Sequence, residues 1–161
     1  MEVSVVYYSK TGRTKKVAEE IAERLACEVE GIIATSERKG PIGYLKAGRD
    51  AVRKRSTTIG EMKSDPALYQ LTIIGTPVWA LTISAPVRAY LQRYSARLRD
   101  VAFFLTYGGA GAKSTFEDME EMCSKRPVAT LEITTLEYIR GRYGAKLDAF
   151  INAVQEHHSS M

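Results

Sequence analysis

The 161-residue chain has few of the residue types that build metal centres and hydrolytic sites: two cysteines and two histidines in all. Cys27 and Cys123 stand apart, with no Cys-x-x-Cys spacing and no His/Cys cluster, so zinc is not expected and the pair read as packed free thiols. His157 and His158 are adjacent in a polar stretch over 157–161, expected to be an exposed tail with no part in catalysis. No Ser/His/Asp, Cys/His or paired-carboxylate constellation competes for a hydrolytic role, so no catalytic residue is assigned. No apolar run approaches the roughly 20 residues that cross a bilayer. The first residues also lack the basic stretch, apolar stretch and cleavage site of a signal peptide, so a cytoplasmic protein without a membrane partner is expected. No Pro/Gly/Ser-rich linker divides the chain, which predicts one domain over 1–156, large enough to bury a core without disulfides or metal.

What the chain does have is alternation. Residues 3–8, Val-Ser-Val-Val-Tyr-Tyr, form a β-branched and aromatic run that ends in a Ser/Thr/Gly turn, which reads as a strand and loop. From Thr14 onward Val17, Ala18, Ile21, Ala22 and Leu25 recur at helical spacing, with charged residues between them. Residues 29–34 are a weaker second strand, and 71–75 a third, apolar enough to be buried on both faces. A helix is predicted over 84–94, with Ser84 placed to cap it, Pro86 in its first turn and a stripe of Val87, Tyr90, Leu91 and Tyr94. A fourth strand at 101–106, a helix over 113–125, a fifth strand at 128–134 and a closing stripe of Leu147, Phe150, Ile151 and Val154 complete the pattern. Five strands joined by helical crossovers make a parallel sheet covered on both faces, a three-layer α/β sandwich. Rossmann-like and flavodoxin-like strand orders both fit, and in either the ligand lies beyond the carboxyl ends of the strands.

Three loops fall at that edge. After the first strand, Ser9-Lys10-Thr11-Gly12-Arg13-Thr14 runs straight into a helix, so backbone N–H groups, the positive end of the helix dipole and three hydroxyls converge on an anion site. The loop has neither the Walker pattern nor GxGxxG, which disfavours nucleotide hydrolysis and dinucleotide binding there; the plainer alternative is a polar turn with Thr14 as a cap. After the third strand, Thr76-Pro77-Val78-Trp79-Ala80 carries the single tryptophan, placed either to stack on a flat ring or to fold over the core margin. After the fourth, Tyr107-Gly108-Gly109-Ala110-Gly111 lets backbone approach a ligand, or is simply a flexible connection. Together the loops suit a ligand with a phosphate, a polar chain and a flat ring, and FMN is such a ligand.

The segments Tyr-Tyr-Ser-Lys-Thr-Gly-Arg-Thr, Gly-Thr-Pro-Val-Trp-Ala and Leu-Thr-Tyr-Gly-Gly-Ala-Gly resemble, in order, the three FMN loops of flavodoxins and flavodoxin-like proteins. Ser9, Thr11 and Thr14 stand on the hydroxyl positions of the family's T/S-x-T-G-x-T signature. The resemblance implies strand order 2-1-3-4-5, FMN as cofactor, Trp79 against one face of the isoalloxazine, Tyr107 near the ring, and the backbone of residues 108–111 at its pyrimidine edge.

Charge qualifies the function. The net charge is +4, but residues 36–63 hold eight basic against three acidic side chains, leaving the rest slightly acidic. Flavodoxins are typically acidic, so this insert is a departure. Electron transfer through FMN to a redox partner protein is the first expectation, and an NAD(P)H-dependent flavin or quinone reductase the alternative. In the second, Arg49, Arg53, Lys54 and Arg55 would hold a dinucleotide phosphate, since guanidinium groups pair bidentately with phosphate. A non-catalytic module that binds nucleic acid or an acidic partner through 38–55 ranks last, because such charge runs are usually a solvated helix face.

Overall fold

The structure is a computed structural model that describes residues 2–35 and 57–161. The basic segment 38–55, with its candidate helix and dinucleotide-phosphate residues, lies outside the described residues.

β1 (Val3–Tyr7) enters the sheet at once and hands the chain to α1 (Arg13–Leu25), whose Val17, Ala18, Ile21, Ala22 and Leu25 are all buried, as the 3.6-residue period requires. β2 (Glu28–Gly31) follows, then β3 (Leu71–Trp79), a two-residue β4 (Thr82–Ile83), α2 (Ala85–Tyr94), β5 (Asp100–Tyr107), α3 (Ala112–Cys123), β6 (Thr130–Thr134), α4 (Thr135–Ile139) and α5 (Gly144–Ser159). The sheet order is β2-β1-β3-β5-β6, all parallel, which is the doubly wound flavodoxin-like order expected. β4 is the difference: it pairs antiparallel with the end of β3, so the strands number six and not five.

The side-chain alternation of each strand divides the core in two. Val3, Val5, Leu71, Ile73, Phe104, Leu131 and Ile133 face α1 and α5, while Val6, Ile74, Val101 and Phe103 face α2 and α3. The sandwich has three layers because both faces of a parallel sheet must be covered.

Three expectations are corrected. Residues 76–79 are strand, not loop, because β3 continues past the end of β1 into the hairpin with β4. Pro77 is tolerated there: Gly75, two residues earlier, gives its carbonyl to Tyr8 N on the β1 side, so Pro77 faces the same way, beyond the last residue of β1, and its missing N–H costs no ladder bond. Ser84 does stand at the N-cap of α2, but its hydroxyl is 2.9 Å from Thr76 Oγ1 and does not cap. Of the expected tail, 157–159 are helix, while 158–161 are exposed as expected. α5 runs to Ser159, and His157 Nε2 lies 2.9 Å from Asp100 Oδ2 at the start of β5.

That contact has a consequence for pH. Asp100 is held below its ordinary carboxylate value, first by the His157 hydrogen bond and further by Gln70. A carboxyl depressed in the folded state adds stability at pH values above its unfolded pKa, near 4, and loses it as pH falls through the lower folded value. The unfolding midpoint should therefore drop on acidification below about pH 4, and Asp100→Asn should flatten that part of a Tm-against-pH curve. An unchanged curve would count against the contact.

β6 is an edge strand, and Lys146 covers it: its Nζ donates to the Glu132 carbonyl at 3.2 Å and pairs with Glu137 at 2.9 Å. Cys27 is half-buried and Cys123 buried, with thiols pushed up by burial to about 11 and about 12. Among the described residues no three His, Cys, Asp or Glu gather to hold a metal, and no helix is long and apolar enough to cross a membrane.

Candidate functional site

The carboxyl ends of β1, β3 and β5 bring the three loops around one cavity of about 200 Å³. From the first loop it takes Lys10, Thr11, Arg13 and Thr14; from the second, Pro77, Val78 and Trp79; from the third, Tyr107 and Gly108. Thr106, Thr134, Thr135 and Tyr138 complete the lining, and none of these four was singled out in the sequence.

The first loop is shaped by Gly12, which takes a left-handed φ of +97° at the N-cap of α1 and donates its N–H to Ser9 Oγ at 3.0 Å. Gly12 has no side chain to cap the helix, so among the described residues no side-chain cap meets the first-turn N–H groups. Thr14 is not a solvent-facing donor: it is buried, and its Oγ1 lies 2.8 Å from Thr106 Oγ1. Two hydroxyls carry two hydrogens and their mutual bond uses one, which leaves the other for the cavity. Ser9 and Gly12 line a neighbouring hollow of about 460 Å³ with Lys15, Gly31 and Ile32, on the β2 side of the same loop.

Trp79 forms a wall. The Tyr8 ring meets it edge-on at 5.5 Å and 89°, and Lys10 Nζ lies 5.9 Å from its centroid. Ala80 sits at the hairpin tip, outside the cavity, and Thr76 is fully buried beneath the hairpin. On the far side, Arg13 lies 6.0 Å from the ring of Tyr138, which stacks on Tyr143 at 6.1 Å; the Tyr143 hydroxyl reaches Glu20 on α1 at 2.9 Å. Burial and that carboxylate push the Tyr143 phenol up to about 12. Tyr107 is also raised, by burial first and Glu132 second, and its carbonyl accepts from Thr135 Oγ1 at 3.3 Å. Gly109 is exposed, and Gly111, at φ +93°, packs against Val78 and Leu81 of the hairpin. A signal for α4 was present in the sequence: Thr134 and Glu137 form a capping box, with Glu137 N donating to Thr134 Oγ1 at 3.1 Å and Thr134 N to Glu137 Oε2 at 2.9 Å. Recognising it would have pointed to Tyr138.

A larger groove of about 740 Å³ runs along β6 between α3 and α5. Phe116, Leu131 and Phe150 line it with charges of both signs, so it lacks the converging donors of the smaller cavity.

A doubly wound sheet with an uncapped helix N-terminus, hydroxyls and aromatic walls at its carboxyl edge defines a flavodoxin-like protein. The flavodoxin family model matches residues 2–134, and the chain belongs to that family. No curated protein matches it. Among solved structures it is similar to a flavoprotein from Lactobacillus acidophilus in complex with FMN: 22% identity, 86% of this chain and 97% of that one, TM-score 0.68. It also resembles the two-electron reduced flavodoxin of Megasphaera elsdenii, at 15% identity over 94% of this chain and 96% of that one, TM-score 0.59. The apo form of an NADH:FMN oxidoreductase matches at 13% identity over 100% and 90%, TM-score 0.58. These likenesses show the fold.

FMN, the family's cofactor, fits what the cavity presents. A phosphate needs donors, and the cavity offers Lys10, Arg13, the first turn of α1 and one spare hydroxyl hydrogen, with no aspartate or glutamate among the described lining residues. A Cβ built on Gly12 or Gly108 would meet nothing within 4 Å among the described residues, so backbone at both positions is open to a ligand on their side.

Proposed function

We propose that this chain is an electron-transfer protein that works through non-covalently bound FMN. The observation that carries this reading is the meeting of a donor-rich first loop with Trp79 and Tyr107 at one cavity. When bound, FMN supplies one- and two-electron redox chemistry, and the chain binds, orients and tunes it. The first turn of α1, Thr11, Thr14 and Arg13 hold the phosphate; Trp79, braced by Tyr8 and with Lys10 beside it, and Tyr107 wall the ring; the open backbone at Gly108 and Gly109 serves its polar edge. The exposed Leu81 beside Trp79 leaves this edge accessible to a redox partner protein.

Purified protein should be yellow, or take up added FMN with an absorbance band near 450 nm, a general property of oxidised flavins. Colourless protein that binds no FMN would overturn the proposal. Thr14→Ala removes one hydroxyl of the Thr14–Thr106 pair and should weaken FMN by roughly 1 to 3 kcal/mol, the range for hydrogen bonds to charged groups, as read by fluorescence titration. Unchanged affinity would leave Thr14 a purely structural role.

The charge of the cavity favours a second reading, an NAD(P)H-dependent flavin or quinone reductase. Lys10 and Arg13 bring two positive charges to its lining. Each positive charge a few Å away stabilises a negatively charged reduced cofactor by about 1 kcal/mol in a water-like medium, and by more where solvent is excluded. Lys10→Gln, which removes the charge beside the Trp79 wall, should lower the potential of the second electron by roughly 40 mV. Anaerobic NADPH that bleaches the 450 nm band would select the reductase; no bleaching would remove it.

A further inference from the structure

A buried polar cluster lies under the β3–β4 hairpin, behind the wall that Trp79 forms. Its centre is Arg88, on the first turn of α2, only 5% exposed. Arg88 Nη2 donates to Thr82 Oγ1 at 3.0 Å, and Nη1 lies 3.2 Å from Met122 Sδ. The Thr82 hydroxyl donates in turn to Asp118 on α3, whose Oδ2 is 3.8 Å from Arg88 Nη2. Arg88 Nε has no hydrogen-bond partner among the described residues.

A cation is costly here on two counts. It is buried, which draws its guanidinium below the ordinary value against the opposing pull of Asp118, and it stands on the turn where the helix dipole is already positive. A buried ion pair with one donor unsatisfied is a poor source of stability, and apolar side chains of similar volume usually serve a fold as well or better.

The cluster ties down the hairpin that carries Trp79. Thr82 is the register partner of Trp79, and between them Ala80 (φ +49°) and Leu81 (φ +66°) make a two-residue turn of two left-handed residues. Such turns favour Asn-Gly, and alanine and leucine disfavour the conformation, so this hairpin must be held from outside its own sequence. Three ties are visible: Thr76 with Ser84 at its base, Thr82 with Arg88 and Asp118 on the strand that faces Trp79, and Ser114 Oγ, which donates to the Leu81 carbonyl at the tip.

We propose that Arg88, acting through Thr82 and Asp118, is a positioning residue that fixes Trp79 as a wall of the cofactor cavity. This rests on the FMN reading above. Thr82→Val removes the hydroxyl that joins the cluster to the strand while keeping its shape, and Thr82→Ser keeps the hydroxyl. Arg88→Met with Asp118→Leu replaces the ion pair by apolar groups.

Trp79 is the single tryptophan, so its fluorescence anisotropy in the apoprotein reports its freedom directly, without cofactor. For Thr82→Val we expect faster depolarisation of Trp79, about tenfold weaker FMN binding and altered visible circular dichroism of the bound flavin. Thr82→Ser restores all three. The double variant keeps or raises the unfolding temperature yet shows the same losses, and should it fail to fold, the two Thr82 variants decide. Variants that lower only the unfolding temperature, with anisotropy, affinity and flavin dichroism as in the wild type, would overturn the positioning role. Wild-type protein that binds no FMN would overturn the cofactor reading and the wall with it, whereas wild-type binding with unaltered variants overturns the positioning role alone.

Discussion

Gly75→Ala should overpack the core at a cost of about 3 kcal/mol, the upper end of the usual range, although it adds a single methyl group. Gly75 on β3 is the direct register partner of Phe104 on β5, and the Phe104 ring, fully buried, lies flat over it. A Cβ at Gly75 would stand 2.0 Å from Phe104 Cζ and 2.4 and 2.5 Å from the two Cε atoms. Both faces of β3 are packed, so the ring has nowhere to withdraw without disturbing α1 and α5. Alanine also has less freedom than glycine in the unfolded chain, which returns roughly 0.4 to 1 kcal/mol. For a chain of this length the net loss, about 2 to 2.6 kcal/mol, is a fall in Tm of roughly 4 to 10 °C by calorimetry. The origin is shape and not backbone conformation, so Phe104→Leu in the Gly75→Ala background should recover part of the loss, and strictly additive effects would contradict the contact.

The order of the fold was legible because most of it rests on two local periods. The α1 stripe from Val17 to Leu25 and the α2 stripe from Val87 to Tyr94 are written in neighbouring residues, and both helices begin within a residue of the predicted place. Parallel strands such as Leu71-Thr-Ile-Ile announce themselves by being apolar on both faces. The hairpin was missed because its turn, Ala80-Leu81, carries none of the Gly, Asn or Asp that marks a two-residue loop. The end of α5 was missed because its apolar stripe stops at Val154 while the backbone carries on to Ser159, supported at His157 by Asp100, 57 residues away.

In the site, the first loop was legible as a composition of donors, but the partner of Thr14 was not. Thr106 is 92 residues distant and meets Thr14 only because β5 ends beside the start of α1. Tyr138 sits on a helix of five residues, too short to show a period, whose Leu136 and Ile139 are exposed. Nothing in the sequence sets Arg88 apart from other charged residues on amphipathic helices, and only the packing of α2 against α3 and the hairpin reveals that it is buried.

Gly111→Ala should be the most damaging small substitution at the cavity edge, because it combines two costs that act on the same hairpin. At φ +93° an L-residue is strained by roughly 1 to 2 kcal/mol. A Cβ there would also stand 2.8 Å from the backbone Cα of Leu81 and 3.0 Å from Val78 Cγ1, and a backbone atom cannot swing aside as a flexible side chain does. The tip is held to α3 as well, through Ser114 Oγ donating to the Leu81 carbonyl at 2.7 Å, so relief requires hairpin and helix to part. Adding an overpacking cost of about 1 to 2 kcal/mol gives a loss of roughly 2 to 4 kcal/mol in denaturant unfolding. Gly12→Ala, at nearly the same φ but with open space around its Cβ, should show only the conformational part, about 1 to 2 kcal/mol. Val78 and Trp79 line the cavity, so a displaced hairpin should also weaken FMN by tenfold or more in Gly111→Ala, measured by fluorescence titration of folded protein. Equal destabilisation by the two substitutions, with FMN affinity unchanged in Gly111→Ala, would show that the hairpin does not depend on Gly111 for its place.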